Sequence, residues 1–544
     1  MGLNSRNGFA ALFSGSFPTS GERVNETALI SLVDFPLQLA LEAMGIRDYP
    51  NYLVKLCLRS AVAGLILLGL LLLLTKNHIA SAISVTTVSS TFYWITSLQY
   101  LPKITAIALF AGGLWLMRVN TVSNTKRTLL AIGLAMGTTG VVANLASAMA
   151  ALLFLPVGIS LLCVVEKMTF SQSLYRALRV SLVFSLVWSV PFWIAYMNSG
   201  SLIGLFNYSD GLNYADIRSS GILPAILGSG YWAESIVLPP ISIFGWVPRL
   251  GGIGFSIRLA LLLAAILVGR MIVARSSRIE SPQRKLFRWS LALWAISLFS
   301  ATLNAVDWPL NLLVGKHSFA IAFREPWTKL MPIYLVALGI LLSLVVSQFG
   351  ALRDGRQLPN WILCAPRNLM LISICVFLIS LTQTRNSWRN LTADRSNNQA
   401  AWMLYDDELF STYVTSIRSI ETLAKDHSIC VEFVSGLSDS LRRDFYVITL
   451  GYSKQKVFIP WSTIIGSPPE TKPEIGCQSK NVNEQPRFDR LVLFLPPGLS
   501  TESYPEYIPF QECQIEVQDP HLMVYDIACV MNLTTVWPSE IPTD

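Results

Sequence analysis

Charge is what this sequence has least of. Of its 544 residues only 14% are Asp, Glu, Lys or Arg, against 52% hydrophobic, and the mean hydropathy is +0.49. A soluble domain carries about a quarter charged residues, so a soluble enzyme is excluded for most of the chain. The usual signatures of soluble catalysis are missing as well. No Walker loop, HExxH, GxSxG or dinucleotide fingerprint occurs. The four histidines (His78, His317, His427, His521) are too scattered to suggest a metal centre, and no CxxC is present. No internal repeat stands out, which weighs against a transporter built from duplicated halves.

What is there is apolar, in long runs such as Ala61 to Leu74. A bilayer core about 30 Å thick needs about 20 such residues per helix, so the chain reads as a polytopic α-helical membrane protein of about ten spans. The candidates are 59–75, 79–100, 104–117, 128–147, 148–165, 180–197, 257–274, 289–304, 331–348 and 369–382. Four loops concentrate basic residues: Arg118, Lys126 and Arg127; Lys167, Arg176 and Arg179; Arg275 to Arg288; and Arg353, Arg356 and Arg367. Ten spans put all four on one side, which the positive-inside rule makes cytoplasmic. The net charge of +7 is thereby accounted for without a nucleic-acid partner. Residues 1–57, the loop 198–256, the loop 305–330 and everything beyond 385 then face the other side of a plasma membrane.

The N-terminal segment 1–57 has no span of its own. A short amphipathic helix is expected over Leu32 to Leu41, placed flat on the membrane although a packed soluble helix is equally compatible, with Asp34 near its start where a carboxylate suits the helix dipole. Beyond about residue 386 the composition turns polar. Val431 to Val434, Asp444 to Leu450 and Arg490 to Leu495 read as strands, and Glu408 to Lys425 has helical periodicity. These point to a small extracytoplasmic α/β or α+β domain over 386–544. Its four cysteines (Cys430, Cys477, Cys513, Cys529) favour two disulfides over a metal site, with three pairings open.

Chemistry concentrates at Phe323-Arg324-Glu325-Pro326-Trp327-Thr328-Lys329, between two spans. Such charges suit a membrane surface or wet cavity, and Pro326 keeps a regular helix from running through them. A guanidinium grips phosphate bidentately, and a carboxylate can take a proton from a hydroxyl. The same residues also suit a plain interfacial anchor of Arg, Trp and Lys.

In order and spacing, Asp34-Phe35-Pro36, Asn144-Leu145-Ala146-Ser147, Pro191-Phe192-Trp193, Asn207-Tyr208-Ser209-Asp210, Gly230-Tyr231-Trp232 and Ala322 to Lys329 resemble the GT-C superfamily of membrane glycosyltransferases. The likeness extends to the arabinofuranosyltransferase-like proteins of mycobacterial cell-wall synthesis. It implies transfer of a sugar from a polyprenyl-phosphate donor to a cell-envelope glycan or lipid on the non-cytoplasmic face. Arg324 and Lys329 would then lie near the donor phosphate, with Asp34, Glu325 and Asp307 as candidate catalytic carboxylates. Tyr231, Trp232, Trp246, Trp308 and Trp327 would shape the substrate groove. No cofactor signature stands out, and a divalent cation is the one candidate. Members of the family open with a membrane helix followed by an acidic loop, whereas here no helix precedes residue 57. Two other classes therefore stay open: a transporter or flippase of a polar lipid or polymer, and a catalytically degraded scaffold.

Overall fold

The computed structural model describes residues 9, 26–89, 91–97, 101–119, 123–139, 145–199, 281–302, 326–352, 407–433, 457–458, 488–495 and 511–530. Residues 200–256 of the expected loop 198–256, the candidate spans 257–274 and 369–382, and the expected strand 444–450 lie outside them. The chain divides into two compact units. One comprises Met1–Leu53, Ile194–Gly204 and Arg395–Asp544, and the other Val54–Trp193 and Leu205–Asp394.

The described helices of the second unit are α2 (Asp48–Thr75, entering it at Val54), α3 (His78–Ser89), α4 (Phe92–Ser97), α5 (Leu101–Arg118), α6 (Asn124–Gly137), α7 (Leu145–Val164), α8 (Phe170–Ser199, leaving it after Trp193), α9 (Ser281–Thr302) and α10 (Pro326–Leu352). Among the described residues three stretches are long and apolar enough to cross a membrane: Pro50–Thr75, Phe170–Val190 and Leu330–Ser347. The expected span 79–100 is instead two pieces, and the sequence shows why. Thr86 and Thr87 donate their hydroxyls to the carbonyls of Ala82 and Ile83, and Ser89 to Thr86, loosening the ladder. Thr91 then accepts from the amide of Trp94, restarting the chain as α4.

α10 forms the middle of this unit. Every residue from Met331 to Val345 is buried, as expected of a helix apolar all round. It packs against α3, α5, α7 and α9. Its neighbour α2 buries one stripe at three- and four-residue spacing, Leu56, Ala63, Leu67, Leu70, Leu71 and Leu74, while Leu58, Val62 and Leu65 stay exposed. Parallel α5 and α7 meet through glycine. A Cβ on Gly113 would strike the ring of Phe154, and one on Gly158 would strike Met117. In lipid, where apolar burial gives little drive, such close backbone approach is a main source of helix association.

In the first unit, α1 (Glu26–Ala43) precedes α2, and α11 (Asp407–Leu423) leads into a five-stranded sheet. The strands are β1 (Ile429–Phe433), β2 (Val457–Phe458), β3 (Arg490–Phe494), β4 (Gln514–Ile515) and β5 (Leu522–Asp526), in the order β2-β1-β3-β5-β4. β2, β1 and β3 run parallel, and β5 and β4 extend the sheet antiparallel. The run Leu491 to Leu495 is buried throughout, the signature of a strand covered on both faces. Tyr413 of α11 packs its ring on Phe494, with centroids 5.5 Å apart. Ser428 and Asp489 lock the starts of β1 and β3 reciprocally. The Ser428 amide donates to Asp489 Oδ2 at 2.9 Å, and the Asp489 amide to Ser428 Oγ at 3.0 Å. Cys513 and Cys529 form a disulfide, one of the pairings the sequence left open, and Cys430 is also disulfide-bonded.

A buried cation pair at one end of the helical unit

The buried stripe of α2 is apolar over most of its length but not at its N-terminal end. There Lys55 is 1% exposed, Arg59 8% and Ser60 9%. Lys55 and Arg59 stand four residues apart, hence one turn apart on one face, and that face is the one turned into the protein. Moving a charge out of water costs several kcal/mol per ion even after relaxation, so such residues are held by partners or serve a ligand. Both engage neighbouring groups. Trp94 crosses the helix beside them, its Nε1 donating to Ser60 Oγ at 3.1 Å. Trp94 and Tyr93 are themselves fully enclosed, at 0% and 1% exposure. The arrangement puts two buried cations and, through Ser60, the Trp94 ring near the entry of one helix, a setting suited to an anionic group beside an apolar chain.

Helix direction brings the first turn of α10, residues 326–329, to the same end. Gly339 of α10 lies against Leu67 of α2, and the Ser343 hydroxyl is 3.1 Å from that of Thr75. The two helices therefore run parallel. Lying about 10 to 17 residues before these contacts, the first turn of α10 (326–329) is level with roughly residues 54–61 of α2 at 1.5 Å per residue. Lys329 and Trp327 belong to that turn, though their side chains are outside the described residues.

No family model and no curated protein matches this chain. Among solved structures, it is similar to ArnT from Cupriavidus metallidurans. In the apo state the TM-score is 0.44 at 13% identity, covering 97% of this chain and 93% of that one. For the same protein bound to undecaprenyl phosphate the TM-score is 0.45 at 12% identity, covering 96% and 92%.

The expected site residues fare unevenly. Asp34 is buried, at 2% exposure, but it is not at a helix start. α1 begins at Glu26, so Asp34 is mid-helix, and the dipole argument for its charge does not hold. Nor is the buried face of α1 an apolar one. It runs Asp34, Gln38, Leu41, with Gln38 donating to Glu42 at 2.8 Å, and Phe9 stacks on Phe35 at 4.8 Å. Asp34 belongs to the first unit and the cation pair to the second. Asp307, Arg324, Glu325, Tyr231, Trp232, Trp246 and Trp308 lie outside the described residues. Lys55 and Arg59 escaped the sequence reading because the apolar run begins only near residue 59, which makes Lys55 look like a flanking charge. The signal was present in their spacing: 52, 55, 56, 59, 60, 63 and 67 fall on one helical stripe.

Proposed function

We propose that this chain is a membrane glycosyltransferase of the GT-C kind, using a sugar carried on a polyprenyl phosphate. Lys55 and Arg59 bind the donor phosphate, together with Lys329 and Arg324. The observation that carries the reading is the burial of two cations, one turn apart, beside Trp94 and level with the first turn of α10. An acceptor hydroxyl attacks the anomeric carbon, the bond from that carbon to the phosphate oxygen breaks, and a carboxylate takes the hydroxyl proton. The cations stabilise the charge gathering on the leaving phosphate, a role that needs no nucleotide. Asp34, Glu325 and Asp307 are the candidates for the base. The aromatic residues Tyr231, Trp232, Trp246, Trp308 and Trp327 are proposed to line the groove, and an arabinofuranosyl donor is the first to try.

The test is turnover of radiolabelled polyprenyl-phosphate sugars by the purified full chain, with Arg59→Lys and Lys55→Gln beside an Arg288→Lys control. Arg288 is exposed on α9. Loss of one charge-assisted contact of ~1.5–3 kcal/mol lowers turnover about ten- to hundredfold. Arg59→Lys should fall in that range because an ammonium cannot reproduce the guanidinium fork. Parent-like turnover in both site variants would remove the pair from the site.

A further inference from the structure

A second cationic cluster stands at the far end of the same helices. Arg118 closes α5 and pairs with Glu166, Nε to Oε1 at 2.5 Å. Arg127, in the first turns of α6, donates from Nη2 to the carbonyl of Val119. Arg176 of α8 donates from Nη1 to the carbonyl of Met117 at 3.1 Å. Three guanidiniums thus meet at the C-terminal end of α5, where the helix dipole favours cations. Burial first, then the nearby charges of Arg176 and Arg179, hold the proton affinity of Arg127 below its ordinary value. Arg179, three residues beyond Arg176 on α8, adds a fourth guanidinium whose charge reaches Arg127, while Glu166 pairs with Arg118. Two of their donors, Arg118 Nη1 and Arg127 Nε, are buried and have no acceptor among the described residues.

The cluster is distant from Lys55 and Arg59. A Cβ on Gly112 would lie 3.2 Å from Ile66, and one on Gly69 would lie 3.9 Å from Trp115, so α2 and α5 run parallel with a constant offset. Arg118 is then level with about residue 72 of α2, some 13 to 17 residues beyond the cation pair, or ~20–25 Å at 1.5 Å per residue. That separation approaches the thickness of the hydrocarbon core, about 30 Å, so the two clusters serve opposite faces of a bilayer.

We propose that Arg118, Arg127, Arg176 and Arg179 form a binding site for a phosphate group, distinct from the donor site. A phosphoryl oxygen supplies the acceptors that Arg118 Nη1 and Arg127 Nε lack, and its charge offsets the excess of guanidinium. The phosphate comes either from an anionic phospholipid of that leaflet or from a soluble phosphate.

Native mass spectrometry and thermal melting of the full chain in detergent test this. One arm adds phosphatidylglycerol against phosphatidylcholine, and the other inorganic phosphate against chloride at equal ionic strength. Arg179→Gln is the variant of choice, because Arg127 and Arg176 also hold helix-end carbonyls. Retention of phosphatidylglycerol by the parent, roughly tenfold weaker in Arg179→Gln, supports a lipid phosphate. Stabilisation by inorganic phosphate that Arg179→Gln loses, with the two lipids equivalent, supports the same site with a soluble ligand. If Arg179→Gln does not fold, Arg179→Lys takes its place, with a smaller loss expected. Equal responses of parent and variant in both arms overturn the proposal. So does an equal loss on Lys126→Gln, an exposed lysine in the first turn of α6, which would reduce the effect to diffuse surface charge.

Discussion

Asp489 shows how one residue can set the pH response of the sheet-bearing region. Its carboxylate accepts from the Ser428 amide, and that bond first, then the Ser428 hydroxyl, holds its pKa below the ordinary value. A carboxyl whose folded pKa is depressed contributes stability above its unfolded pKa, near 3.9, and loses it as pH falls through the folded value. The contribution is therefore intact at neutral pH and disappears only below about pH 4. Asp489→Asn should flatten the acid limb of the denaturation midpoint against pH while leaving the neutral limb with a smaller change. Chemical denaturation of the full chain between neutral and strongly acidic pH, read by tryptophan fluorescence, checks this, and an unchanged acid limb would refute it. Tyr525, buried in β5, has its phenol pushed up to about 12, so it should stay protonated through any working range.

At the scale of elements, the α5–α7 contact is the most constrained. Gly113 and Gly158 face Phe154 and Met117 with no room for a methyl group. Gly113→Ala should destabilise the helical unit by about 1–3 kcal/mol, because an aromatic ring yields poorly. Gly158→Ala should cost less, since the Met117 side chain can swing aside. Equal melting temperatures for Gly113→Ala and the parent in detergent would show that the helices are not so close. The joint of α2, α3 and α10 is polar instead. The hydroxyls of Thr75, Ser81 and Ser343 lie 3.1 to 3.4 Å apart, and Thr75 donates onward to the Leu71 carbonyl at 2.8 Å. Ser343→Ala removes a bond from each neighbour while Thr75 keeps its own acceptor, so a loss of about 1 kcal/mol is expected. A loss several times larger would mean that the trio does more than join helices.

For the whole molecule, helix direction decides which chemistry shares an end. Arg118, Arg127 and Arg176 come together although they arise from two different basic loops. α9 reaches the same level, its Trp289 donating to Ser160 near the end of α7 at 2.9 Å. The described residues of three basic segments thus gather at one end, opposite Lys55 and Arg59. Cysteines placed at Lys126 and Ser281, in a background freed of native thiols, should both be labelled from the cytoplasm, and one at Arg395 only from the other side. Labelling of 126 and 281 from different sides would break the topology.

Local hydropathy and strand pattern were enough to announce a helical membrane chain with a separate α/β region. They located α11, β1 and β3 to within a few residues, because apolar period and β-branched runs are properties of neighbours in sequence. They also singled out 323–329, since charge beside a long apolar run is costly wherever it falls. The pairing of Cys513 with Cys529, the break between α3 and α4, and the mid-helix position of Asp34 were not to be had that way. Above all, only the tertiary structure turned Lys55 and Arg59 inward and laid the first turn of α10 level with them. Which face of α2 meets protein and which meets lipid is decided by packing against α10 and α5, contacts made by residues as far apart in the chain as Thr75 and Ser343.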